Sequence, residues 1–309
     1  MNRITRFTLF AATAAAMAVP SSACAQRDRE PTRVDSTFAF DKGSWLEVGI
    51  VSGEVVVTGW TRAEAKVYAT TEHGWFDAQL SSHRITLMTR SDHGRSGHTR
   101  VEIMVPVGTR VQVSTVSGRV QVTGTQGEVD AGSVNGTVEV IGATDRITAH
   151  TVNGRVHAAK LSGRVRLSTT NDRIEAEDIA GDVTAESVSG RITLTGVKSS
   201  HVSAETVSGT VSYEGNIDPA GSYELSTHSG GVHMTIPDGS SANLELETFS
   251  GHISSAFPIT LQPGEISSMS THGKKMEFTI GKGGARISAS TFSGNITIDK
   301  SGHTDREEN

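Results

Sequence analysis

The chain has 309 residues, a formal net charge of −6, 33 glycines, 7 prolines and one cysteine. A lone cysteine excludes a disulfide framework or a cysteine-based zinc cluster within one chain, and the acidic balance argues against a nucleic-acid binder, which usually shows a basic surplus. Apolar residues reach the ordinary globular level of about 45% once glycine is counted, which argues against disorder throughout, and the absence of a Gly-X-Y period excludes collagen.

In chain order, residues 1–25 read as a secretory signal. Arg3 and Arg6 supply the positive end, and Phe7 to Val19 form an apolar run of 13 residues, short for a bilayer span. Ala23-Cys24-Ala25 fits a small-x-small cleavage site and places the mature start at Gln26. The alternative is a lipoprotein signal with Cys24 lipidated, although Ser21 stands where such a signal prefers leucine. No later segment is long and apolar enough for a transmembrane span. Residues 26–35 read as a linker.

Residues 36–110 are expected to form an N-terminal β cap and the first coils of a repeat. Strands are predicted over Trp45–Ile50, Glu54–Thr58, Ala65–Ala69, Arg84–Thr89 and Val101–Val105, and Ser52-Gly53 looks like an isolated repeat corner. Trp45, Trp60 and Trp75 all lie in this stretch. Solenoids need atypical end units to cover the open core, and an aromatic ligand site is the sharper alternative. Ser91 to Thr99 is expected to be a loop.

From 111 to 300 a ruler takes over. TVSG at 115–118 returns as SVNG, TVNG, TTND, SVSG, TVSG, THSG, TFSG, STHG and TFSG, with spacings of 18, 18, 18, 18, 19, 21, 21, 22 and 21 residues. Each copy precedes an alternating strand such as Arg119-Val120-Gln121-Val122, the period of a half-buried strand. A second turn falls halfway, at Gly127, Asp145, Gly163 and Gly181. Glycine, and Asp145 and Asp172 in its place, supply the backbone angles a sharp corner needs. The prediction is an all-β, parallel β-solenoid of about ten coils, each of two strands and two turns, stacked at ~4.8 Å. Val120, Val129, Val134, Val138, Ile147, Val152 and Val156 mark the apolar positions. Their 9, 5, 4 steps exclude the left-handed hexapeptide helix, and no calcium-roll nonapeptide is present. Residues 301–309 read as a disordered polar tail.

From about Phe38 to Ile298 the chain resembles the bacterial "putative adhesin" β-solenoid family. The resemblance rests on VSGEVVVTGW at 51–60, VPVG at 105–108, IPDG at 236–239 and the repeated T-x-S-G. It implies a secreted or envelope-exposed β-solenoid and brings no catalytic residues.

Three columns carry the chemistry. A hydroxyl column stands three residues before each corner, beginning Thr115, Ser133, Thr151, Thr169, Ser187 and Thr206. One residue before the corner come Asn135, Asn153 and Asn171, interspersed with serines. Stacked hydroxyls and amides can hydrogen-bond along the rod. Whether the hydroxyl column faces in or out stays open: counting alternation from Val120 puts Thr115 outside, and counting from Val183 puts Ser187 inside. One residue after the corner, Arg119, Arg155, Arg173 and Arg191 form a basic stripe, interrupted by Thr137, with Glu139 and Glu175 beside it. It is either a solvated face with ion pairs or a site for an anion or acidic glycan. No HExxH, GxSxG, P-loop or dinucleotide fingerprint is present in its required context, so no metal, cofactor or catalytic set is expected. The expectation is an exported, non-enzymatic, adhesin-like rod that binds or scaffolds at the cell envelope, whether periplasmic, outer-surface or secreted, with a cell-surface glycan or envelope protein as partner. The alternatives are a polysaccharide-active β-helix enzyme and a periplasmic envelope-stress partner.

Overall fold

A computed structural model describes residues 32–90, 97–258, 268–270 and 273–301. The expected signal, Cys24, part of the 91–99 loop, His272 and the 302–309 tail lie outside the described residues. The described chain is all β. Its first strands are β1 (Thr32–Ala39), β2 (Trp45–Trp60), β3 (Glu64–Thr71), β4 (Trp75–Leu80), β5 (Arg84–Arg90) and β6 (Thr99–Pro106). The rod continues through β7 (Arg110–Thr123), β8 (Val129–Asn135), β9 (Val138–Ile141), β10 (Thr144–Asn153), β11 (Val156–Ala159), β12 (Ser162–Asn171) and β13 (Ile174–Glu177). Next come β14 (Ala180–Ser189), β15 (Ile192–Val197), β16 (His201–Ser208), β17 (Val211–Gly215), β18 (Ser222–Ser229) and β19 (Val232–Pro237). The last are β20 (Ala242–Ser250), β21 (Ile253–Ser255), β22 (Ser268–Ser270), β23 (Gly273–Ile280), β24 (Ala285–Ser293) and β25 (Ile296–Ser301).

The solenoid is confirmed strand by strand. In the central coils each strand pairs in parallel with the one a full turn later, in the 18-residue register. Val156 pairs with Ile174 and Ile174 with Ile192 on one side, and Ile147 with Val165 and Val165 with Val183 on the other. All of these side chains are buried. A core this thin is filled mainly by Val, Ile, Leu and Ala. Where the coils lengthen to 21 residues two rings enter it: Tyr213 and Tyr223 pack edge to face at 5.7 Å. Burial raises both phenols above the ordinary tyrosine value, Tyr213 the further. The Tyr213 hydroxyl donates to the Asn216 carbonyl at 2.9 Å and that of Tyr223 to the Ser199 carbonyl at 2.6 Å.

Each central coil has three corners, one more than the sequence pattern predicts. Besides the T-x-S-G corner and the half-way corner, a third runs through Gly124, Gly142, Lys160, Asp178 and Gly196, all with φ between 53° and 68°. Lys160 and Asp178 break the glycine column and hid it. Beyond this corner a short third side turns Thr125, Ala143, Leu161, Ile179 and Val197 into the core. The coil-to-coil ladder continues around it, as in Lys160 N to Glu177 O at 3.0 Å and Ala180 N to Leu161 O at 2.8 Å.

Stacking order departs from chain order at both ends. β2 lies between β7 and the later strands β5 and β6. At the other end the C-terminal β24 is wedged between β18 and β20, and β25 between β19 and β21. Antiparallel strands flank both ends: β3 on β6, β1 on β3 and β4 on β5 at one, β23 on β20 at the other. They break the parallel stacking and blunt the edges on which another chain could add strands.

Candidate binding edge

The T-x-S-G corner sets the geometry of one long edge of the rod. Alternation along the strand brings the hydroxyl inward, so Thr115, Ser133, Thr151, Thr169, Ser187, Thr206, Thr227, Thr291 and Thr248 are all buried. This settles the direction that alternation alone left open. Most of these hydroxyls hold the corner of the neighbouring coil. Thr151 Oγ1 donates to the Gly136 carbonyl at 3.1 Å, Thr169 to Gly154 at 3.0 Å, Thr206 to Gly190 at 3.2 Å and Thr227 to Gly209 at 3.0 Å. Thr115, Ser133 and Ser187 bury the same hydroxyl with no partner. The corner needs glycine where the coils come closest. Gly136 has φ +156°, and a Cβ there would stand 1.8 Å from the Gly118 carbonyl oxygen.

The residues after each hydroxyl face solvent, and the break in alternation falls here. The amide column is outward: Asn153 Nδ2 donates to Asn135 Oδ1 at 2.8 Å and Asn171 Nδ2 to Asn153 Oδ1 at 2.7 Å. Past the glycine, Arg119, Arg155, Arg173 and Arg191 also point outward. Arg155 and Arg173 both reach Glu175, at 3.8 and 3.4 Å, and Arg173 lies 4.0 Å from Asp172. Arg119 and Arg191 have no ion-pair partner among the described residues. The stripe therefore combines paired and free guanidinium groups, and Glu139 makes no ion pair with it.

The residue between hydroxyl and amide is the one sequence reasoning misplaced. Val134 and Val152, taken as core markers, are 41% and 40% exposed. They belong to an outward column that runs the length of the rod: Val51, Val116, Val134, Val152, Thr170, Val188, Val207, His228, Phe292 and Phe249. Of the eleven large apolar side chains exposed among the described residues, eight stand in this one column. At its far end three rings stack, His228 on Phe292 at 4.9 Å and Phe292 on Phe249 at 4.7 Å. Thr170 makes a notch, where a shallow groove of about 340 Å³ is lined in part by Ser168, Glu186, Val188, Glu205 and Val207. The signal was present in the alternation, since an inward Thr151 requires an outward Val152.

Residues 183–299 match the family model of Toastrack DUF4097. The match covers less than half of the chain and shows what this stretch is similar to. It starts inside β14, and its register continues unbroken into the coils before it, since Val183 pairs with both Val165 and Val202. Solved structures similar to the chain include a putative adhesin from Bacteroides fragilis, at 10% identity and TM-score 0.40 over 86% of this chain and 96% of that one. Others are a putative cell adhesion protein from Clostridium sporogenes, at 10% and 0.27 over 88% and 100%, and a putative adhesin from Parabacteroides merdae, at 9% and 0.32 over 86% and 96%. No curated protein matches the chain.

The coils gather no group of three or more His, Asp, Glu or Cys able to hold a metal ion among the described residues. No helix of the described chain is long and apolar enough to cross a membrane. What the edge offers is length: an apolar column and an amide or hydroxyl column run in register coil after coil, with Arg119, Arg155, Arg173 and Arg191 beside them in the coils near β7 to β15.

Proposed function

We propose that the protein is a non-enzymatic rod of the cell envelope that binds or scaffolds through this edge, and that its ligand is an acidic glycan. The observation that carries the reading is the exposed arginine column. Arg155, Arg173 and Arg191 stand in three consecutive coils about 4.8 Å apart, a spacing that is repulsive unless anions lie alongside. Glu175 is the one glutamate that pairs with them, and it serves both Arg155 and Arg173. An extended polyanion laid along the rod supplies the missing counter-charge, and the neighbouring Asn135, Asn153 and Asn171 amides suit sugar hydroxyls. Export by the 1–25 segment fits such a role.

The experiment is binding of the purified protein to an acidic polysaccharide beside a neutral one. Arg155→Glu, Arg173→Glu and Arg191→Glu together should leave the fold intact, because exposed charges contribute little to stability. They should weaken acidic-glycan binding about tenfold or more at low salt, a difference that shrinks as salt screens the charges. Equal binding by both proteins at low salt rejects the column as the site. A catalytic turnover that Asp172→Asn or Glu175→Gln abolishes would overturn the non-enzymatic reading.

A further inference from the structure

The outward face carried by β7, β8, β10, β12, β14, β16, β18, β24 and β20 is polarised. Toward β7 it presents Arg110, Arg146, Arg164 and Arg166 against Glu128 and Asp130, and toward β20 it presents Glu205, Glu224, Glu245 and Glu247 against Arg286. Arg146, Arg164, Arg166, Glu205, Glu224 and Glu247 make no ion pair within the chain among the described residues. Like charges even stand side by side: Arg146 is in register with Arg164, and Glu186 with Glu205. Directly opposed like charges are destabilising, and the chain places one such pair of each sign on the same face. Along the edge of that face runs the exposed Val and Phe column.

We infer that this face is a self-association surface, and that its occupant is a second copy of this chain lying antiparallel across it. Two identical faces pack about a two-fold axis in the plane between them. With that axis along the strand direction at β14, each outward column meets itself in reverse order. Arg166 on β12 then lies one outward column, about 6.6 Å, from Glu205 on β16, and Arg146 on β10 the same step from Glu224 on β18, while Arg164 meets His201. Arg110 on β7 lies one column from Glu245 on β20, and Glu128 before β8 faces Arg286 on β24. Only the β14 row, with Asp182 and Glu186, faces its own kind. The apolar column closes on itself the same way. Val188 meets Val188, Val207 enters the Thr170 notch, and Phe292 and Phe249 cover Val134 and Val116. A parallel pairing would instead set arginine against arginine and glutamate against glutamate.

The area suffices. Nine coils at ~4.8 Å and three to four outward columns at about 6.6 Å give roughly 850–1,150 Å² per copy, at or above the size of a stable protein interface. The arginine column lies past the corner on the other sheet, so self-association leaves it free. This inference stands whether or not that column binds a glycan.

The test is the solution mass of the purified protein by light scattering and sedimentation. The expected result is a dimer at low salt that weakens as salt rises. Two charge-reversed proteins separate the orientations: one carries Arg146→Glu, Arg164→Glu and Arg166→Glu, the other Glu205→Arg and Glu224→Arg. Each alone should dimerise roughly 100-fold more weakly, and mixing the two should restore a dimer. Val188→Glu with Val207→Glu should give a monomer with an unchanged far-UV circular dichroism spectrum. A wild-type monomer at about 100 μM overturns the inference, as does a dimer whose affinity none of these changes alters. Reversed proteins that stay monomeric when mixed overturn the antiparallel arrangement.

Discussion

A single inward hydroxyl shows what the repeat conserves energetically. Thr169 is buried and gives its proton to the Gly154 carbonyl, so Thr169→Val keeps the shape and strands that carbonyl. The expected loss is about 1–2 kcal/mol, read as a lower denaturant midpoint. Ser187 is equally buried but its hydroxyl finds no partner. Ser187→Ala should therefore be neutral or slightly stabilising, and a loss as large as that of Thr169→Val would show that the column works by something other than this bond. At this scale the sequence made the column obvious and left its direction undecided. Period-2 counting fails across a corner, where the residues after Thr115, from Val116 to Arg119, all face out or lie half-exposed.

At the scale of the strand, register is what binds the coils. Ile174 on β13 sits fully buried between Val156 on β11 and Ile192 on β15, the stack the 18-residue ruler predicts. Ile174→Asp would place an unpaired carboxylate in an apolar core, at a cost of several kcal/mol. Each coil touches only its neighbours, so the damage should spread outward from that coil. Hydrogen exchange should show β11 to β15 losing protection before the ends do. Uniform protection and an unchanged thermal midpoint would mean that the register is wrong. The third corner shows the limit of pattern reading at this scale. Its φ of +54° at Lys160 and +53° at Asp178 is imposed by coil geometry, and Lys160 does not advertise a turn of that hand, so Asp178, which tolerates one, stands without a visible column. The inward Leu161 and Ile179 that follow were therefore left without a side to belong to.

Over the whole molecule the decisive feature is the closure of the C-terminal end. β24 and β25 come last in the chain yet lie between coils made earlier, with strand partners on both sides. A chain ending at Gly284 would leave the edges of β18 and β20 facing an empty slot, with β20 attached to the rod only by its connection from β19. Limited proteolysis of that truncated protein should cut near Asp238–Ser241 and release the 242–280 segment, while the coils through β17 stay protected. Protection of 242–280 in the truncated protein would show that the wedge is dispensable. The sequence by itself determined the solenoid, its 18-residue coil, the glycine corners and the inward Val and Ile stacks, because each follows from a local period repeated ten times. Tertiary structure alone decided the swapped coil order at both ends, the third corner, the inward turn of the hydroxyls and the outward turn of Val116, Val134 and Val152. These depend on which coil lies next to which and on how the backbone bends at a corner. Both are set by contacts between residues 15 or more positions apart, which a local period does not encode.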